Sequence, residues 1–258
     1  MSADRSNSQE SIPCKRVLGA FCRAESMLLE VLRIVPYCKE HCQVWSPVLA
    51  TVLMEACSQL DSLWKARSRL GDSKVSSRDL DIQDYFCKFG AEHANRWVVF
   101  FQDDGELLYP FAAWRCLERF EKDAYQPVAW WSAYNDVKHD RLLYENRATI
   151  DNALNALAGL FLAIIRTPGA YRAMSQAGWF EHNARFVHPE WLASEEDTAT
   201  LLYLTIESEV FAYALGWGKA NFPPGCNSWG GYVGSRFTEW FPRYSLSLAG
   251  SIEKPADT

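Results

Sequence analysis

Between Pro13 and Val35 the apolar positions Val17, Leu18, Phe21, Ala24, Leu28, Leu32 and Val35 recur at three- and four-residue steps. That spacing predicts one stripe along an amphipathic helix, which Pro36 ends. A second stripe, Leu49, Val52, Leu53, Ala56, Leu60, Leu63 and Trp64, follows Ser46 as N-cap and Pro47 at the first helical position, and stops at Gly71. The short connection YCKEHCQVW makes the two helices antiparallel neighbours. A third helix is expected from about Ser77 to Phe89, with Gly90 as its C-terminal stop.

The pattern then changes period. Trp97 to Phe101 is β-branched and aromatic, Asp103-Asp104-Gly105 is a turn signal, and Glu106 to Tyr109 reads as a returning strand, so a small hairpin is predicted near 97–109. Helical spacing resumes after Pro127 in AWWSAYNDVKHDRLLYEN. It continues from Thr149 to Arg166, with Ile150, Leu154, Leu157, Leu160, Phe161 and Ile164 on one side and Thr167-Pro168-Gly169 as the stop. After Ser194, which has capping-box spacing to Asp197, a further helix would carry Leu202, Ile206, Val210 and Tyr213 inward; LLYLTI alone reads equally as a strand. Six of the fourteen glycines lie between Gly216 and Gly234, beside Pro223 and Pro224, and predict an irregular loop region.

The expected fold is therefore all-α: an antiparallel helical bundle with a small β-hairpin insertion and an irregular glycine-rich C-terminal loop region. Residues 1–12 read as a flexible N-terminus, 13–166 as the bundle, 167–248 as a helical and loop extension packed on it, and 249–258 as a flexible tail.

Composition narrows the functional classes. With 48% hydrophobic and 22% charged residues the chain is a packed globular protein. Its net charge of -6 argues against non-specific binding of duplex DNA while leaving room for a local basic pocket. The longest apolar stretch, Ala156 to Ile165, is far below the ~20 residues a membrane helix needs. Eight cysteines scattered through apolar segments, with no secretory segment before them, predict a reduced cytoplasmic protein.

Cys38, His41 and Cys42 have a zinc-like chemistry but lack a fourth ligand nearby, and ordinary buried thiols are the default. Asp136 and His139 have the three-residue step of di-metal bundles, yet no second carboxylate-histidine motif accompanies them. No GxSxG elbow is present. The expectation is no metal and no cofactor.

The most informative stretch is Trp130 to Arg141. On a continuous helix, at about 100° per residue, Asn135, Lys138 and His139 share one arc, with Trp131 beside Lys138 and Arg141 adjoining it. Cations that neutralise phosphate, an amide donor and an imidazole that titrates near neutrality are the groups needed to hold a phosphodiester and move a proton. The same residues also make a solvated helix face with local ion pairs over two core tryptophans.

Two long helices followed by a polar motif ending in His and another long helix resemble the HEPN superfamily, the all-helical domains of many microbial toxins and antiviral defence proteins. RNA-cleaving members carry Arg, four to six residues, then His, often with Asn directly after the Arg. In Tyr134-Asn135-Asp136-Val137-Lys138-His139 the Asn and the His fit, and Tyr134 stands in place of the Arg. The resemblance implies RNA binding or metal-independent RNA cleavage, with His139, Lys138, Arg141 and Asn135 as catalytic residues and Tyr134, Trp131 and Arg147 touching RNA. It also implies a homodimer, and an antitoxin or regulatory protein as a further partner. The rival expectation is a non-enzymatic helical dimerisation or interaction module binding a protein or small ligand, which the missing Arg favours.

Overall fold

A computed structural model describes residues 12–71, 80–101, 106–167, 169–180 and 204–215. Helices account for 63% of them. The elements are α1 (Cys14–Ile34), α2 (Pro47–Gly71), α3 (Ile82–His93), β1 (Val98–Phe100), β2 (Glu106–Leu108), α4 (Ala129–His139), α5 (Arg141–Tyr144), α6 (Ile150–Ile165), α7 (Tyr171–Gln176), β3 (Leu204–Glu207) and β4 (Phe211–Leu215).

The two opening helices form where their stripes predict. Every α2 stripe residue, from Leu49 to Trp64, is buried, and the Ser46 Oγ accepts a hydrogen bond from Leu49 N at 3.2 Å, closing one of the orphan donors at the helix start. Along α1, Val17, Leu18, Phe21, Ala24 and Leu28 face the same core. Both helices pack on α6. That helix is apolar around most of its circumference, with Ala153, Ala156, Leu162 and Ile165 buried as well as the predicted face, and so it occupies the centre of the core. Gly159 allows the closest approach: a Cβ there would lie 3.2 Å from the Trp130 ring of α4.

The third helix starts and ends later than its glycine suggests. Asp81 caps it, accepting from Gln83 N and Asp84 N while the Asp84 carboxylate accepts from Asp81 N, a reciprocal box that fixes the first turn. Gly90 is an interior residue of α3 and not its stop, because Phe120 packs where a side chain would be: a Cβ at Gly90 would fall 2.4 Å from Phe120 Cδ1. Ser77 lies outside the described residues.

The hairpin of β1 and β2 is present, with Val98 opposite Leu108, but it does not stand alone. β4 pairs antiparallel with β1 and with β3, giving a four-stranded sheet in the order β2-β1-β4-β3. The helix expected to carry Ile206, Val210 and Tyr213 is thus corrected to a second hairpin. Val210, Phe211, Ala212 and Tyr213 are buried consecutively, so the chain here is covered on both faces, which a one-sided helix could not satisfy. The buried Glu25 of α1 holds the turn, accepting from Val210 N at 3.0 Å and from the Ser208 hydroxyl. Burial pushes the Glu25 carboxyl above its usual range, against these hydrogen bonds. Leu202, the glycine-rich region and both termini lie outside the described residues.

Candidate functional site

The sequence-predicted patch is built on α4. Its inner face is Trp130, Trp131, Ala133, Tyr134 and Val137; Trp130 Nε1 donates to Pro110 O at 2.7 Å, and the Trp131 ring lies 6.0 Å from that of Trp64 and 5.3 Å from that of Tyr134. Turning these residues inward leaves Asn135 and Asp136 half-buried and Lys138 and His139 exposed at the helix end. Asn135, Lys138 and His139 are therefore brought together on the last two turns.

Arg141 is not on that helix. α4 stops at His139, Asp140 takes φ -148° and ψ 83°, and its carboxylate accepts from Leu143 N at 3.2 Å to start the separate turn α5. An aspartate at this point competes for backbone donors and breaks the run. Arg141 then pairs with Glu145 at 3.0 Å and donates to Pro47 O at 3.3 Å, so its guanidinium is turned toward the start of α2. Arg147 reaches back to α4, with Nε 3.3 Å from Asp136 Oδ2.

Trp131 and Tyr134, the expected RNA contacts, sit in the core at 6% and 5% exposure. Lys138 Nζ lies 5.3 Å from the Tyr134 ring centroid, within cation–π range. Burial pushes the Tyr134 hydroxyl up to about 12. Tyr134 is thus a neutral, inward-facing phenol.

An apolar surface adjoins the patch. In α5, Leu142 is 100% exposed, and Leu143 and Tyr144 are also open. Val44, Trp45 and Val48 are exposed across the Arg141–Pro47 hydrogen bond. The segment before α2 is held to the start of α6, since Ile150 N donates to Val44 O at 2.8 Å and Trp45 bridges Thr149.

A second polar cluster, invisible in the sequence, joins α2, α3 and the end of α6. Arg67 donates through both terminal nitrogens to the Glu92 carboxylate at 2.7 Å each, the bidentate geometry that suits a guanidinium. His93 Nε2 is 3.6 Å and Arg166 Nε 3.9 Å from Glu92 Oε1. Burial opposes ionisation of Glu92, yet the Arg67 hydrogen bonds hold its carboxyl below the usual range. His93 is fully buried and stacks on Phe111 with ring centroids 4.9 Å apart. Neither ring nitrogen has a hydrogen-bond partner, and desolvation pushes its pKa down to about 3. Such an imidazole stays neutral near pH 7 and, without access to solvent, serves the core and not proton transfer.

His41 Nδ1 lies 2.9 Å from Pro36 O and Cys42 Sγ donates to Lys39 O, so two members of the CxxHC group contact backbone. Among the described residues no three His, Cys, Asp or Glu side chains are grouped to hold a metal, and no helix is long and apolar enough to cross a membrane. In comparisons with known proteins, no family model, no curated protein and no solved structure matches this chain.

Proposed function

We propose that the chain is a self-associating helical-bundle module, whose interface with a second copy is the apolar surface formed by α5 and the start of α2. The observation that carries this reading is the open exposure of Leu142, Leu143 and Tyr144 beside Val44, Trp45 and Val48. Grouped apolar side chains of this size mark an interaction surface, whereas single ones do not. Full burial of one leucine is favourable by about 2 kcal/mol, so removal of the α5 pair from water contributes substantially to association.

The rim points to a second copy and not to a partner of one charge. Lys138, Arg141 and Arg147 alternate there with Asp136, Asp140 and Glu145. A rim whose charges are balanced and largely paired within the chain sets up no net repulsion between two copies meeting across a two-fold axis, and offers no single-sign field to a partner of one charge. The test is Leu142→Glu: the variant should run as a monomer in sedimentation with its circular dichroism spectrum unchanged, because the side chain makes no use of the core. A variant that still dimerises would remove this surface from the account.

A second reading has its own observation. His139 and Lys138 are exposed on the rim of this surface, with Arg147 held over the same helix by Asp136. In a two-fold dimer the rims of both subunits approach each other, and an imidazole with cations from two chains supplies what one chain lacks, a phosphate clamp beside a proton acceptor. This is the RNA-cleaving HEPN-like reading. In it His139 takes the 2′-hydroxyl proton, and Lys138 or Arg147 stands in for the missing motif Arg, since Arg141 is turned toward the start of α2.

A further inference from the structure

Away from α5, a groove of about 680 Å³ runs between α1 and α2. Its size is that of ligand sites and not of the gaps between packed helices. Lys15, Arg16 and Arg23 stand along its α1 wall with Gly19 between them, and Gln59, Ser62 and Arg69 line it from α2; the Gln59 amide nitrogen also donates to Glu55 Oε1 at 3.2 Å. All three cations are exposed, and none is in an ion pair with a described residue. No acidic side chain lines the groove among the described residues.

Those features are unusual in a chain of net charge -6. Some surface cations are neutralised locally, as Arg119 is by Glu121 and Asp123 and Lys122 by Asp84; what sets Lys15, Arg16 and Arg23 apart is that they gather around one concavity. Three uncompensated cations around one concavity repel each other in the empty protein, and their field is relieved by an anion. Arg16 and Arg23 are separated by seven residues of helix, or about 10 Å. One phosphate reaches only one end of that span. Aromatic side chains are missing from the lining, so the groove offers no platform on which to stack a base.

We propose that the α1–α2 groove binds a linear run of phosphates, held by Lys15, Arg16 and Arg23 through charge and by Ser62 through a hydrogen bond, with no reading of base identity. Two sources carry that chemistry: the backbone of a single-stranded nucleic acid and a free polyphosphate chain. This site is independent of the self-association surface, which lies on α5.

The test uses the full chain with two probes, a fluorescent oligouridine ten-mer followed by anisotropy and inorganic tripolyphosphate added as competitor or titrated alone. Binding of either probe should weaken at least tenfold in the Arg16→Glu/Arg23→Glu variant, and log K for the oligonucleotide should fall with log salt at a slope near -2, about -0.7 for each of three neutralised phosphates. Competition by tripolyphosphate at micromolar concentration assigns the site to free polyphosphate, and failure to compete assigns it to the strand. Arg16→Gln/Arg23→Gln, which introduces no new charge, guards against misfolding and should lose binding with an unchanged melting curve. Dimer mass measured on the same variants should not move, which separates this result from the fate of the interface. Absence of binding by both probes, or binding that survives in both double variants, would overturn the proposal.

Discussion

Replacing His93 with phenylalanine should flatten the acid side of the protein's stability profile. The histidine is fully buried against Phe111 and Trp64, with ring centroids 4.9 and 5.9 Å away, and neither ring nitrogen makes a hydrogen bond, Nε2 standing 3.6 Å from Glu92 Oε1. Burial lowers its pKa from 6.5 to about 3, so between those values the unfolded chain takes up a proton that the folded chain refuses. Stability from this group is fully present above pH 6.5 and is lost as pH falls toward 3. At pH 5 the unfolded histidine lies 1.5 units above ambient pH, and at 1.36 kcal/mol per unit the loss is about 2 kcal/mol. Phenylalanine preserves the stacked ring, cannot titrate and removes two unsatisfied buried nitrogens, so His93→Phe should be no less stable than the parent at pH 7.5. Urea unfolding of both proteins at pH 7.5 and pH 5.0 measures the difference. Glu92, held below its usual range by Arg67, loses stability on acidification in both proteins and largely cancels in the comparison. The parent should lose about 2 kcal/mol more than the variant. Equal losses would show that His93 titrates in the folded protein and that its site is hydrated.

Two further outcomes test the core and the rim. Leu53→Ala removes a side chain with no exposed surface and should cost about 3 kcal/mol in urea unfolding; a loss near zero would place Leu53 on the wrong face of α2. If the rim of the interface is catalytic, the dimer should cut single-stranded RNA in the presence of a chelator and leave cyclic phosphate ends, and His139→Ala should lower the rate by roughly a hundredfold at unchanged melting temperature. RNA left intact by the parent would remove the cleavage reading without touching self-association.

The parts of the fold legible in the sequence are those in which one local signal suffices. Ser46-Pro47 marks the start of α2 because both the cap and the fixed φ act on adjacent residues. The α1 and α2 stripes are legible because each buries one face. Elsewhere the deciding contact is distant in sequence. Gly90 resembles a helix stop until Phe120 is seen to pack on it, and Ile206, Val210 and Tyr213 keep helical spacing although Glu25 and β1 hold them in a hairpin. Asp140 illustrates a subtler miss: the three-four spacing runs through it without a flaw, and only its cap on Leu143 N divides α4 from α5 and moves Arg141 off the motif face. The Arg67–Glu92–His93–Arg166 cluster had no local signature, because its members come from three helices. The apolar surface does have a local signal, since Leu142-Leu143-Tyr144 follows directly on the polar run Lys138-His139-Asp140-Arg141.

Self-association through α5 is the claim on which the functional reading stands. Sedimentation equilibrium of the unmodified chain across the micromolar range measures it directly. The account predicts a species of twice the chain mass of 29.4 kDa that dissociates on dilution and that Leu142→Glu reduces to the single-chain mass. A mass of 29.4 kDa at every concentration for the parent would contradict it, and with it both the interface and the composite site at its rim.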